Sequence, residues 1–203
     1  MERKIAAYFN GKRILITGGA CGIGAEMAKR MLEAGATVRV ADWSADRLGK
    51  ARKRFEAFGG RVSFENVDVS KQAQVDDMVR RMAKDFDGFD MIVNNAGILD
   101  RGPAENITLE RFRQVMDVNF WGVLYGCYAA LPLFLAQGHG HIVNTSSLGG
   151  ILHAPFQAAY GASKAAVFSF SDTLRYEMEL RGIDVSTICP GDVRYGETAT
   201  NRT

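Results

Sequence analysis

Short apolar runs rich in β-branched residues recur along this chain, each followed by a longer stretch of helical period, and this rhythm constrains the fold more than any other feature. Runs near 12–17 (KRILIT), 37–41 (TVRVA), 61–67 (RVSFENV), 90–94 (DMIVN), 140–145 (GHIVNT) and 183–188 (IDVSTI) read as strands. Segments near 22–34, 44–58, 71–86, 108–136 and 157–181 read as helices. The helix over 108–136 is expected to be bent or interrupted around Pro103 to Thr108, with Thr108 at its start. Strands alternating with crossover helices predict an α/β architecture with a parallel sheet between two helical layers.

No linker, repeat or low-complexity tract divides the 203 residues, so residues 1–203 read as one domain, with 190–203 as an irregular polar C-terminal segment. A hydrophobic fraction of 47% and a charged fraction of 24% are those of a soluble globular protein. The net charge of +2, with Lys and Arg scattered among acids, gives no nucleic-acid footprint. Cys21, Cys127 and Cys189 are far apart and lack CxxC spacing, which fits neither a disulfide framework nor a zinc site. His139, His141 and His153 form no metal pattern. The start lacks the apolar run of a signal peptide, and no segment is expected to approach the length of a membrane span, so the expected location is the cytoplasm.

Thr17-Gly18-Gly19-Ala20-Cys21-Gly22-Ile23-Gly24 leaves the first strand and opens a helix. Glycines there let the backbone approach a pyrophosphate at a helix N-terminus, although any tight strand-to-helix turn also selects glycine. Some twenty residues on, the second strand ends in Asp42, whose carboxylate is able to accept both hydroxyls of a ribose and repel a 2′-phosphate. This favours NAD over NADP, as does Cys21 in a turn without Arg or Lys. The competing reading is that Asp42 caps the next helix.

Tyr160 and Lys164, four apart at the start of a predicted helix, share one face and are able to meet a common ligand. A phenol of pKa near 10 becomes a base at neutral pH only if its anion is preferentially stabilised by about 4 kcal/mol. A cation about 4 Å away gives roughly that in a partly dry site and only about 1 kcal/mol in water. Taken alone, the pair also fits an amphipathic helix with a surface Lys. Ser146-Ser147 ends the fifth strand at the carboxyl edge, where open α/β sheets place their ligands, and Ser147 precedes Tyr160 by thirteen residues.

Together these motifs resemble the short-chain dehydrogenase/reductase family. The likeness covers about Lys12 to Gly191 and includes Asp68-Val69, Asn94-Asn95-Ala96-Gly97, Asp117-Val118-Asn119-Phe120 and Pro190-Gly191. It implies a Rossmann-type, doubly wound sheet of strand order 3-2-1-4-5-6, and hydride transfer between NAD and a small-molecule secondary alcohol or ketone. In that case Ser147 bonds the substrate oxygen, Tyr160 exchanges its proton, Lys164 holds the nicotinamide ribose and Asn119 holds a water linked to Lys164. Gly18, Cys21, Gly22, Ile23, Gly24, Asp42, Asp68, Val69, Asn95, Ala96, Gly97, Tyr160, Lys164, Pro190 and Gly191 are then the cofactor-binding residues, and no metal is required. The chain departs from the pattern after Gly191: Tyr195 stands where Thr is usual, and the usual last helix and seventh strand are absent. A shortened form that holds nucleotide or pairs with another subunit without much catalysis is the alternative. The resemblance also implies a homodimer or homotetramer through the fourth and fifth helices, whose Gly122, Gly126, Ala129, Ala162, Ala165, Ala166 and Ser169 permit close packing. His153, with Ile151, Leu152 and Phe156, lies between Ser147 and Tyr160, where a substrate would be touched.

Overall fold

The apolar runs become six parallel strands flanked by helices on both faces. The computed structural model describes residues 2–192, with side chains from residue 6 onward. Arg194, Tyr195 and the rest of 193–203 lie outside the described residues. In chain order the main elements are α1 (Glu2–Phe9), β1 (Arg13–Thr17), α2 (Gly22–Glu33), β2 (Thr37–Asp42), α3 (Ala45–Arg54) and β3 (Val62–Asn66). They continue with α4 (Gln72–Phe86), β4 (Met91–Asn94), α5 (Leu109–Met116), α6 (Gly122–Gln137), β5 (Gly140–Thr145), α7 (Ala158–Met178) and β6 (Ile183–Ile188).

The sheet order is β3-β2-β1-β4-β5-β6, as the resemblance implies. Chain direction across the sheet reverses between β1 and β4, which opens a crevice at their carboxyl ends. One apolar layer packs Leu15, Ile92 and Ile142 against α4, α6 and α7, with the Phe89 and Phe134 rings 4.8 Å apart. The other packs Ile14, Ile16 and Val40 against α2 and α3.

Four differences from the sequence reading have local causes. The amphipathic α1 is too short for its period to announce it. The helix expected over 44–58 stops at Arg54, because Phe55 turns into the core beside Phe64 and the chain continues as a 3₁₀ segment, Glu56–Arg61, with Gly59 at φ 55°. Thr108 does start α5, its Oγ1 accepting from Arg111 N at 3.1 Å. The break within 108–136 instead falls at a π-helical turn, Asp117–Trp121. Finally, Leu109–Gln137 is 29 residues with a mean hydropathy of 1.4 in its most apolar window, long and apolar enough to cross a membrane. Here it is a core helix: Val115, Asn119, Val123, Cys127, Ala130 and Phe134 are buried within the fold.

The amino ends of the strands are closed by paired polar groups. Arg13 donates through N and Nε to Asp90 Oδ2 (2.7 and 3.0 Å) and through Nη1 to Phe86 O at 2.7 Å. Gln137 accepts from Phe89 N and donates to Phe89 O. His141 links the Tyr8 hydroxyl (2.8 Å) to Ser186 Oγ (2.9 Å), which docks α1 onto the sheet.

Candidate active site

At the carboxyl ends the polar groups are arranged differently. Gly18 and Gly22 take positive φ (61° and 54°), so the β1–α2 turn folds back on itself at a cost that L side chains resist. A Cβ on Gly24 would stand 2.2 Å from Gly18 O, so only hydrogen fits. One on Gly18 would stand 2.8 Å from Ala96 Cα, which puts the loops after β1 and β4 in contact. Asn95 fixes that contact, donating from Nδ2 to Thr17 O (3.1 Å) and Gly18 O (3.2 Å). Thr17 Oγ1 accepts from Asn95 N and Ala96 N in return. Cys21 occupies the N-cap position of α2 without a side-chain cap bond, followed by Gly22, Ile23 and Gly24 in the first helical turn. Burial pushes its thiol pKa up, so the position brings no charge to the turn.

Asp42 ends β2 with 4% of its surface exposed. Among the described residues its Oδ1 accepts only from Ser44 N, at 3.1 Å, while Ser44 itself caps α3 by accepting from Arg47 N at 3.3 Å. The helix therefore takes its cap from Ser44, and Asp42 keeps capacity for other donors. Asp68 serves its own loop, Oδ1 accepting from Ser70 N (2.9 Å) and Ser70 Oγ (2.7 Å), and Val69 packs on Gly122.

Ser147 leaves β5 with its Oγ accepting from Gly149 N at 3.1 Å. A Cβ on Gly149 would lie 3.5 Å from Ser147 Oγ, 3.7 Å from Tyr160 Cε1 and 3.3 Å from Gln157 Oε1, so the serine and the tyrosine ring converge on one glycine. One helical turn on, Lys164 Nζ lies 5.9 Å from the Tyr160 ring centroid. The ammonium is buried, donates to Thr145 O at 2.7 Å, and retains two further N–H groups. Burial lowers its pKa to about 8, with Cys189 opposing the shift.

Asn119 sits in the π turn, fully buried. Its Oδ1 accepts from Ile98 N (2.7 Å), and its Nδ2 donates to Ile98 O (2.9 Å) and Ser163 Oγ (3.0 Å). Ser163 Oγ then donates to Tyr160 O at 2.7 Å. A Cβ on Gly97 would meet Asn119 Oδ1 at 3.3 Å and Lys164 Nζ at 3.4 Å. One polar chain thus joins the loop after β4, the π turn and α7. Pro190 O accepts from Leu148 N at 2.9 Å, and a Gly191 Cβ would lie 3.7 Å from Leu148 Cδ2, which brings the turn after β6 to the same place. His153 stays exposed in the loop between Ser147 and Tyr160.

Several site residues escape the sequence reading. Ser146 Oγ donates to Lys164 O at 2.7 Å, and a Cβ on Gly150 would stand 2.6 Å from Lys164 C. Strand β5 and the turn after it therefore grip the backbone of Lys164 from two sides while Thr145 O holds its ammonium. The one signal in the sequence is the doubled serine, Ser146-Ser147. Among the small residues assigned to subunit contact, Gly122 and Gly126 are spent inside the fold. A Cβ on Gly126 would stand 2.1 Å from Asn94 Oδ1, and one on Gly122 2.9 Å from Val69 Cγ2.

The profile for short chain dehydrogenases matches residues 12–203. The chain belongs to the short-chain dehydrogenase family. A relative, 3beta-hydroxysteroid dehydrogenase 1 of Eggerthella lenta, is 39% identical over 184 residues, covering 89% of this chain and 70% of that protein. D-beta-hydroxybutyrate dehydrogenase of Cupriavidus necator is 32% identical over 182 residues, covering 90% and 70%. The crystal structure of NAD+-bound xylitol dehydrogenase superposes with a TM-score of 0.88 at 31% identity, covering 93% of this chain and 73% of that one. Family membership makes the protein an oxidoreductase acting on CH–OH groups of small molecules, of a kind that binds nicotinamide cofactors.

Proposed function

We propose that the protein moves a hydride between NAD(H) and a secondary alcohol or ketone, with Tyr160 as acid and base. The carrying observation is the convergence of Ser147 Oγ and Tyr160 on Gly149, with a buried Lys164 one turn along the same helix. When bound, the nicotinamide ring supplies the hydride chemistry. Ser147 holds the substrate oxygen by its hydroxyl. In oxidation Tyr160 takes the substrate's hydroxyl proton, and in reduction it returns one. Lys164 keeps its buried ammonium beside the ring, which favours the phenolate by charge. Its remaining N–H groups suit the nicotinamide ribose. Asn119 acts through position: its amide ties Ile98 to Ser163, and Ser163 ties to the Tyr160 backbone.

The chain's own residues fit the dinucleotide. The glycine turn leaves backbone N–H groups at the start of α2 for the pyrophosphate, in the space bordered by Asn95, Ala96 and Gly97. Asp42 offers a nearly buried carboxylate with spare acceptor capacity, which suits two ribose hydroxyls and opposes a phosphate there, so NAD is preferred to NADP. Asp68, Val69, Pro190 and Gly191 complete the border of the crevice. Self-association is proposed through the outer faces of α6 and α7, where Tyr128 and Phe168 are exposed and Tyr128 stacks on Phe170. The three free cysteines suit a reducing compartment, the cytoplasm.

Calorimetric titration with NAD and with NADP tests the site, using wild type and Asp42→Ala. Tight NAD binding that weakens at least tenfold in the variant is expected. Tyr160→Phe should then still bind NAD, at somewhat lower affinity, and lose turnover by about 10³-fold on an alcohol and ketone panel. Binding without turnover in wild type would leave a nucleotide-holding protein and end the enzyme reading.

A further inference from the structure

We infer that the substrate of this site is uncharged and carries a bulky apolar body beyond the reacting carbon, received by Leu148, Ile151, Leu152, Phe156 and Leu99. The inference rests on the oxidoreductase reading above and names its substrate class. From Ser147 to Tyr160 the chain has no Asp, Glu, Lys or Arg, in a protein of which 24% is charged. His153 is the one titratable side chain between them. The same stretch leaves four large apolar side chains open: Leu148 (42%), Ile151 (44%), Leu152 (62%) and Phe156 (61%). Leu99, two residues past Gly97, adds a fifth at 37%.

Apolar surface gathered beside a reactive centre needs an occupant, because water is a poor partner for it. The segment is built to present that surface. Leu148 N is held by Pro190 O, Ile151 N and Leu152 N both return to Leu148 O, and Gly102 N binds Phe156 O at 2.9 Å, which ties the segment to the loop that carries Leu99. Phe156 takes φ 65°, one of two non-glycine residues with positive φ among the described residues. A β-carbon is unfavourable in that conformation, and such outliers gather at ligand sites. The occupant is the substrate because Ser147 and Tyr160 stand at the two ends of the segment and meet at Gly149 between them. A molecule whose oxygen lies between these hydroxyls has this segment as its neighbour. Asp100, the acid next to Leu99, is already neutralised by Arg111 at 2.8 Å and offers no recognition of a charged group.

The test compares NAD-dependent oxidation of cyclohexanol, trans-2-decalol and 4-hydroxycyclohexanecarboxylate. The expected result is a kcat/KM for decalol at least tenfold above cyclohexanol, with the carboxylate below both. Phe156→Gly keeps a residue suited to positive φ, and Leu152→Ser changes an exposed position, so both variants should fold. Each should lower the decalol-to-cyclohexanol ratio at least threefold. A wild-type ratio near one, a preferred carboxylate, or a ratio unmoved in both variants overturns the inference. So does a change of mass by light scattering in the variants with the ratio intact, which would make this surface a contact between copies. If no alcohol or ketone is turned over, the oxidoreductase reading falls, and saturation-transfer NMR with trans-2-decalone decides the pocket separately. Binding weakened by Leu152→Ser supports it; no binding, or binding no stronger than 4-oxocyclohexanecarboxylate, overturns it.

Discussion

The two ends of the same sheet manage polar groups in opposite ways. At the amino ends Arg13 pairs with Asp90, Gln137 with the Phe89 backbone, and His141 with Tyr8 and Ser186, and the result is a paired floor. At the carboxyl ends polar groups are more deeply buried, and their capacity is left over. Lys164 has donors to spare, Asp42 has acceptors to spare, and Thr145 Oγ1 and Asn94 Oδ1 are buried without a partner. An unsatisfied buried group costs about 1–3 kcal/mol, so a fold keeps several together only where they do something besides hold it together. The floor should therefore answer to stability and the crevice to chemistry.

The sharpest way to break this comparison is Gly150→Ala. Its new methyl would meet the Lys164 carbonyl carbon at 2.6 Å and push α7 from β5. We expect kcat to fall about 100-fold and stability by about 2 kcal/mol, from overpacking against backbone. An unchanged kcat, read alongside chemical denaturation, would show that the grip on Lys164 is dispensable. Next, Asp90→Ala strands Arg13 at the floor and should cost about 2 kcal/mol in urea unfolding while kcat per folded molecule stays within twofold. A parallel loss of kcat would mean that the floor and the crevice are coupled.

The smallest effect is on pH. Burial lowers the Lys164 pKa from 10.5 to about 8, so between those values the unfolded chain holds a proton that the folded chain has released, and stability rises with pH. Burial pushes the Cys127 pKa from 9.0 up to about 12, so above pH 9 the unfolded thiol ionises first and stability falls. In nucleotide-free protein we expect a small net gain in stability from pH 8 to 9, then little change. Lys164→Met should remove the gain, and Cys127→Ala should let it continue to pH 10. Denaturation curves at half-unit steps of pH would show either variant failing to do so.

The strands were readable because period and β-branching act within five or six residues: β5 and β6 fall where the apolar runs put them. The glycine turn, Asp42, Ser147, Tyr160 and Lys164 were readable for the same reason, each lying at a strand end or one helical turn apart. What stayed hidden depends on contacts between distant segments. Nothing in the spacing of Ser146 and Lys164, eighteen residues apart, says that a hydroxyl will meet a carbonyl. Gly122 and Gly126 look alike whether they admit a second subunit or Asn94 and Val69. The Asp117–Trp121 turn leaves no trace in apolar period, since Val115 and Val123 are buried on either side of it.

The Asp117–Trp121 turn also sets the phase of its helix. A wider turn accommodates an extra residue, and each residue of a regular helix advances about 100° around the axis. The turn takes up that residue, so from Gly122 onward the rod keeps its buried side in line with that of Leu109–Met116, like two gears that still mesh with a spacer between them. Counting by threes and fours from Val115 therefore stays on the buried side, through Asn119, Val123, Cys127 and Ala130 to Phe134. Deleting one residue between Asp117 and Trp121 would close the turn to a regular one and leave Cys127 and Phe134 facing the sheet, at the expense of the widened turn that holds Asn119.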